Sequence, residues 1–476
     1  MSAIPSEQSP APGAVPRTPP ASRLSSALYQ SAWRWHFYAG IIFAPFLVIL
    51  AFSGAMYLFK PQIEGFLYQD MLTVREVGAT SLSADELIAK TMRAYPGTAI
   101  SSVTFPAQPE STVKLAVARN GVSTIMYANP YSGNIMGILN SDQTFSAFFK
   151  KMHSELVIGG TWANRLVELA ACWGIILTAS GLYLWWPRGK RALWGTILPR
   201  LGKDKHGKRG SRQFWRDLHA VPAFWLSIFI LILILTGLPW SGVLGVQIDR
   251  LANATNTNYP PYAFSFADKP ESVTVAKDIA DDVPWAAENL PVPQSAAGAY
   301  LRLEVEDVVG IADRHSVQRP YTISMPQGQT GVYTISAADG KPRNSATLHI
   351  DQYSGAVLTD VRYADYGVMA KAVSLGIALH EGRLFGLANQ LLGLVTCIGL
   401  IFISASSYFM WRRRKPSGKL GAPGKPRDNR AAIGLLVIML AFGVLMPLVG
   451  LSIVAVLLLD WLIIRRIRPL KHWFSV

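Results

Sequence analysis

Apolar positions in this chain gather into long uncharged runs rather than into the short alternations of a soluble domain. Four runs reach the roughly 18 residues a spanning helix needs: Phe37–Phe59, Leu169–Trp186, Leu218–Ile248 and Leu384–Trp411. A fifth, Ala431–Leu459, is long for one crossing and carries Pro447 near its middle, so it reads as a hairpin of two helices. The predicted fold is therefore a membrane all-α helical bundle of about six transmembrane helices, placed at 36–60, 153–187, 218–248, 380–411 and, as a pair, within 431–464. The first run exceeds the 7 to 15 residues of a signal-peptide core, so it is expected to be a retained helix.

Two polar segments, 61–151 and 249–371, lie between the runs. In the first, SADELIAKTMRAYP has helical periodicity, and SSVTFPAQ, STVKLAVARNG and STIMYANPYSGNIMGIL are rich in strand formers. The second offers a helix near VTVAKDIADDV and strands in YTISMPQ, GVYTISAAD and ATLHIDQYSGAVLTDV. The turn Asn129-Pro-Tyr-Ser-Gly133 returns as Asp351-Gln-Tyr-Ser-Gly355, with glycine in the left-handed position. The expectation is two small α+β domains on one side of the membrane.

Charge orients the picture. The net charge is +15, yet segments 1–36, 187–216, 411–430 and 465–476 hold 25 of the 45 Lys and Arg residues and three of the 30 acidic ones. All four segments abut apolar runs on the same side of an alternating topology, which is the positive-inside pattern of a membrane protein and makes nucleic acid unnecessary. The expected location is a bacterial inner membrane, multi-pass, with both termini cytoplasmic and the two polar domains periplasmic. Residues 1–30 begin with a Pro- and Ser-rich tract expected to be disordered, and 188–216, 412–430 and 465–476 are basic cytoplasmic segments.

The chain repeats itself. Setting Cys172 over Cys397 aligns CWGIILTASGLYLWWPR with CIGLIFISASSYFMWRRR, and setting His36 over His219 brings Gly54 and Gly237 into register. Two crossings per copy keep the copies in one orientation, a tandem parallel repeat. Four of the eight histidines occupy matching places: His36 and His219 open the outward-going helices, and His153 and His380 precede the inward-going ones. Two matched pairs, one near each face, suit bis-histidine axial ligation of two haems stacked across the bilayer. The plainer reading of any single one is an interfacial anchor beside tryptophan. His153 and His380 lie 32 and 30 residues before Trp185 and Met410, so either these helices project beyond the membrane or a short interfacial helix intervenes.

Arg34, Arg216 and Arg188 are candidates to neutralise haem propionates, and Gly54, Gly181 and Gly237 in FSG, ASG and LTG would let a porphyrin approach the backbone. Cys172 and Cys397 read as buried packing residues, His206 and His472 as solvated, and His315 and His349 as members of the second polar domain. Two cysteines exclude a four-cysteine metal site, and no GxGxxG, GxxxxGK[ST] or HExxH motif supports nicotinamide binding, ATP hydrolysis or zinc proteolysis.

WRWHFYAG with FSGAMYLF, VELAACWGIILTASGLYLWWPR, RDLHAVPAFW with LTGLPWSG, and LHEGRLFGLANQLLGLVTC ending in MWRRR together resemble the PepSY-associated transmembrane proteins, over residues 30 to 415. The segments ending YANPYSG and IDQYSG look like PepSY domains. The resemblance implies an iron-regulated, siderophore-reductase type of protein: a di-haem b oxidoreductase, with His36, His153, His219 and His380 as haem ligands, that passes electrons from a quinol or a cytoplasmic flavoprotein to a periplasmic ferric siderophore. TASG of the second helix becomes SASS in the fourth, and the C-terminal hairpin lies outside the minimal pattern. The alternatives are a non-redox module whose PepSY-like domains bind or inhibit an extracytoplasmic protein, and a transporter. Against the transporter stands the scarcity of acidic residues within the apolar runs, where Asp460 alone qualifies.

Overall fold

The computed structural model describes residues 20–119, 122–187, 194–200, 212–258, 274–280, 282–295, 301–338, 341–424 and 429–474. Its helices are α1 (Pro20–Leu58), α2 (Lys60–Leu67), α3 (Gln69–Leu72), α4 (Ala84–Ala94), α5 (Phe145–Glu155), α6 (Gly160–Trp185), α7 (Arg212–Gly237), α8 (Leu244–Ala254), α9 (Ala276–Ile279), α10 (Val305–Arg314), α11 (Val368–His380), α12 (Leu387–Arg414), α13 (Asn429–Leu445), α14 (Pro447–Leu459) and α15 (Arg468–Phe474). The strands are β1 (Ala99–Phe105), β2 (Val113–Arg119), β3 (Val122–Ala128), β4 (Ile135–Asn140), β5 (Tyr321–Ser324), β6 (Val332–Ala337), β7 (Ala346–Asp351) and β8 (Val357–Arg362).

Five helical stretches among the described residues are long and apolar enough to cross a membrane: Ala27–Leu58, Gly160–Trp185, Gln213–Trp240, Leu387–Arg414 and Pro447–Ile464. Helices α1, α6, α7 and α12 form a closed four-membered ring, each touching its two neighbours. Their outward faces expose Ile42, Phe52, Ile228, Val395 and Ile398, each about half accessible, a surface suited to lipid and not to water. Helix α13 packs on α1, and α14 on α6. The α13–α14 break at Met446–Pro447 is a reversal, because a Cβ on Gly443 would lie 2.6 Å from the Gly450 Cα. Seven residues of continuous helix would hold those atoms about 10 Å apart. The two expected helices are present as a hairpin; α14 reaches spanning length only with the Asp460–Ile464 turn that continues it, and the apolar stretch of α13, Ala432–Leu445, falls short of a span, so the six expected crossings are five among the described residues.

Several boundaries differ from expectation. Residues 20–30, expected to be disordered, are the first turns of α1; residues 1–19 lie outside the described part. The third apolar run is not one helix: α7 ends at Gly237, Leu238–Trp240 tightens into a 3-10 turn around Pro239, and α8 begins at Leu244. Proline has no N–H to continue the ladder, so the break falls where Pro239 sits. His153 and His380 each close a separate short helix, α5 and α11, before α6 and α12 begin; of the two arrangements the spacing left open, the intervening helix is the one present. Leu156, Val157, Gly159 and Gly160 all take positive φ to make the first of those turns.

The polar segments hold the largest correction. They do not form two separate domains but one eight-stranded antiparallel sheet, in the order β4-β3-β2-β1-β5-β6-β7-β8. The two halves join where β1 pairs with β5, Val103 opposite Ile323 and Phe105 opposite Tyr321. One face carries Val103, Leu115, Met126, Ile323, Ile335, Leu348 and Ile350 against α4 and α10. Helix α10, the counterpart of α4, was not expected; the helix expected near VTVAKDIADDV shrinks to the single turn α9. In both matching turns the side-chain Oδ1 of Asn129 or Asp351 accepts from the backbone N–H groups two and three residues on, and Gly133 and Gly355 have φ of 75° and 72°.

Candidate functional site

The four repeated histidines meet as two pairs. His36 of α1 faces His219 of α7 with ring centroids 6.4 Å apart, and His153 of α5 faces His380 of α11 at 6.0 Å. Each pair takes one histidine from each copy of the repeat. The first pair lies at the basic end of the bundle and the second at the sheet end. Seventeen residues of α1 separate His36 from Ser53, which touches His153, so the pairs are roughly 26 Å apart along the helix axis.

Each ring is held by its Nδ1. That of His153 donates to the Leu50 carbonyl at 3.0 Å and to Ser53 Oγ at 3.1 Å; that of His380 donates to the Leu233 carbonyl at 2.9 Å and to Thr236 Oγ1 at 3.2 Å. His219 Nδ1 donates to the Ile403 carbonyl at 3.0 Å, and His36 Nδ1 to Ser180 Oγ at 2.9 Å. The tautomer follows from these partners. A carbonyl only accepts, and Ser53, Ser180 and Thr236 each spend their own proton on a carbonyl one turn back in their helix. The imidazole proton therefore sits on Nδ1, and Nε2 is left with a bare lone pair. This is the arrangement in which a histidine ligates a metal through Nε2 while a backbone or hydroxyl acceptor orients it.

Ring spacing agrees with that use. With a metal–imidazole bond of about 2.0–2.1 Å and about 1.1 Å from nitrogen to ring centre, two axial imidazoles on one metal place their centroids about 6.3 Å apart. Among the described residues no group of three or more His, Cys, Asp or Glu side chains is placed to hold a bare ion. A porphyrin supplies four equatorial nitrogens and asks the protein for two axial ones only. A cavity of about 1990 Å³ opens at the basic end beside His36 and His219. Its inner wall is apolar, with Leu47, Gly174, Leu177 and Ile234, and its mouth carries Trp33, Trp185, Trp215 and the guanidinium groups of Arg200, Arg216, Arg413 and Arg414. An apolar lining bordered by cations suits a macrocycle with carboxylate arms.

The glycines are placed otherwise than expected. A Cβ on Gly54, Gly181 or Gly237 would meet the Cε1 atom of His153, His36 or His380 at 3.2, 3.3 and 3.0 Å. They make room for the imidazole, and the hydroxyl residue just before each, Ser53, Ser180 or Thr236, takes its proton. The Ser/Thr-Gly pair stands in FSG, ASG and LTG, and its hydroxyl half is what holds the ring nitrogen. The fourth site has Ala405 and Ser406 instead; Ser406 donates to its own helix at Ile403, and His219 turns to the Ile403 carbonyl. The SASS departure thus removes a hydroxyl acceptor without removing the ring's anchor.

Of the arginines singled out from the sequence, Arg216 lines the cavity and pairs with Asp217 at 2.8 Å. Arg34 does not face it: its guanidinium donates to the Pro423 carbonyl and lies over Tyr38. Arg188 lies outside the described residues, as does His206. Arg200, Arg413 and Arg414 were missed, since nothing local distinguishes them among many basic neighbours. Asp217 and Glu168 correct the argument from acidic residues, for both are buried within spanning helices. Both are engaged: Asp217 by Arg200 and Arg216, and Glu168 by the Val243 and Leu244 N–H groups that start α8. His315 contacts Asp360, His472 is exposed, and Cys172 and Cys397 are buried in the bundle.

A family model for the PepSY-associated TM region matches residues 33–414, which takes in both histidine pairs and the whole ring of four helices. The chain belongs to this family. As a PepSY-associated membrane protein it carries its sheet as the insertions between the first and second and the third and fourth helices of the ring, and the α13–α14 hairpin follows the matched region. No curated protein matches the chain.

Proposed function

We propose that this PepSY-associated protein is a transmembrane haem b oxidoreductase that carries electrons from the basic, cytoplasmic side to a ferric siderophore on the sheet side. The observation that carries the reading is the pairing itself: four histidines, each with Nδ1 anchored and Nε2 free, meeting two by two at the spacing of axial ligands. Haem, when bound, supplies reversible one-electron chemistry at iron.

The chain's own residues do the rest. His36 and His219 would hold one group and His153 and His380 the other. Arg200, Arg216, Arg413 and Arg414 would receive carboxylates at the basic end, and the apolar wall keeps water from that pair. At the sheet end Trp240 packs edge-on to His380, 6.3 Å between centroids, and Arg383 ties the α11–α12 turn to the Ala338 carbonyl just past β6. The second pair is thereby held directly beneath the sheet, where a ferric complex would dock. Hard Fe(III) is bound tightly by oxygen donors and Fe(II) less so, so reduction releases the metal. A quinol or a cytoplasmic flavoprotein is the donor class that fits the basic end.

Purified protein is expected to contain two b-type haems per chain by pyridine haemochromogen assay, and its dithionite-reduced spectrum should return to the oxidised form on adding a ferric siderophore. His153→Ala and His380→Ala should each lose one haem and this reoxidation. A colourless protein from haem-replete cells would end the proposal in favour of a non-redox binding module. Full haem content in both variants would refute the ligand assignment.

A further inference from the structure

The two histidine pairs are not held alike, and the differences all act in one direction. At the sheet end each Nδ1–H has two acceptors, a carbonyl and a hydroxyl: Leu50 with Ser53 for His153, Leu233 with Thr236 for His380. At the basic end each makes one such bond, to Ser180 for His36 and to the Ile403 carbonyl for His219. A stronger pull on Nδ1–H makes the imidazole a more basic ligand, and a more basic ligand favours the oxidised metal.

Charge adds to this. Four guanidinium groups, Arg200, Arg216, Arg413 and Arg414, stand at the basic-end cavity with one buried carboxylate, Asp217, among them. Outside the four basic segments the balance reverses, to 20 Lys and Arg against 27 Asp and Glu, and at the turns of the sheet end Arg383 pairs with Glu381. Reduction removes one positive charge from a metal, so surrounding cations favour the reduced form. Two porphyrin carboxylates would offset part of that positive charge.

We infer that the chain tunes its two haem sites apart, making the sheet-end pair the lower-potential site and the basic-end pair the higher, with Ser53, Thr236 and the cavity arginines as the residues that set the gap. This rests on the di-haem reading above and deepens it: the strong reductant is placed where a ferric chelate is to be reduced. Ser53 and Thr236 are positioning residues, acting through His153 and His380.

The test is an anaerobic potentiometric titration of the purified holoprotein, followed at the haem α-band. Two waves are expected, separated by at least a tenfold difference in reduced-to-oxidised ratio, which for a one-electron couple is about 59 mV. His153→Ala protein, keeping only the basic-end group, should titrate at the higher wave, and His36→Ala protein at the lower. Ser53→Ala and Thr236→Val should raise the lower wave alone, and Arg413→Gln should lower the higher wave alone; Ser53→Thr and Arg413→Lys should restore the original values. Coincident waves, or the reverse order in the single-site variants, would overturn the inference while leaving two haems in place. Absence of a Soret band would instead remove the reading on which it rests.

Discussion

A hydroxyl residue followed by glycine serves one imidazole twice in this chain: Ser53-Gly54 for His153, Ser180-Gly181 for His36 and Thr236-Gly237 for His380. The hydroxyl fixes the proton and the glycine leaves space for the ring, so neither half suffices alone. At Gly237 an added Cβ would stand 3.0 Å from His380 Cε1, tighter than the ring can accept without turning away from His153. On the proposed di-haem reading, Gly237→Ala is expected to reduce haem content at the sheet-end pair well below one per chain, with that of the basic-end pair retained. Absorbance per chain measures this directly, and unchanged content would show that the ring has room to shift. The histidines themselves were legible because a repeat singles them out. Their partners were not, because each hydroxyl lies on a neighbouring helix about 100 to 145 residues away, and no local period reports such a contact.

At the scale of elements, α4 and α10 hold each other by exchanged caps. The Glu306 carboxylate accepts from the Ala84 N–H at 2.7 Å, and the Asp85 carboxylate accepts from the Val305 and Glu306 N–H groups at 3.0 and 2.8 Å. Each bond satisfies a first-turn donor with a negative charge at the positive end of a helix. Asp85→Ala or Glu306→Ala is expected to cost about 1 kcal/mol, seen as earlier chemical unfolding of the sheet, with the double variant departing from additivity. Sheet stability should also depend on pH through His349 of β7, which is fully buried and bonded to Thr334 Oγ1. Burial lowers its pKa from 6.5 to about 4, so the unfolded chain binds a proton that the folded chain refuses between those values. Stability from this group is complete above pH 6.5 and falls as pH drops toward 4, by about 3 kcal/mol in all. His349→Gln should flatten that slope in a pH series of melts. The strands were readable from alternation and turn residues. Helix α10 was not, because LEVEDVVGIADR follows a stretch without helical signals and offers no Ser, Thr or Asp cap of its own; its cap comes from Asp85.

For the whole molecule, the repeat foretold how the bundle is built but not that the sheet would be shared. Strand runs and hydroxyl-rich turns occur in both polar segments, and only the β1–β5 edge pairing, a contact more than 200 residues apart in sequence, decides that they close into one layer. That layer and the crossed pairs give both halves of the repeat a part in each site, so neither copy is complete alone. The axial offset of roughly 26 Å between the histidine pairs has a further consequence. It is most of a hydrocarbon core about 30 Å thick, so an electron passing from one pair to the other moves a charge through most of the membrane's electric field. A potential negative on the basic side would push that electron outward with up to about 2.3 kcal/mol per 100 mV. The cell's membrane voltage would then act as a second source of reducing force at the sheet face. If the two pairs hold haem as proposed, a potassium diffusion potential negative on the basic side of sealed proteoliposomes should shift reduction equivalents toward the sheet-end pair, and an ionophore that collapses the voltage should return them.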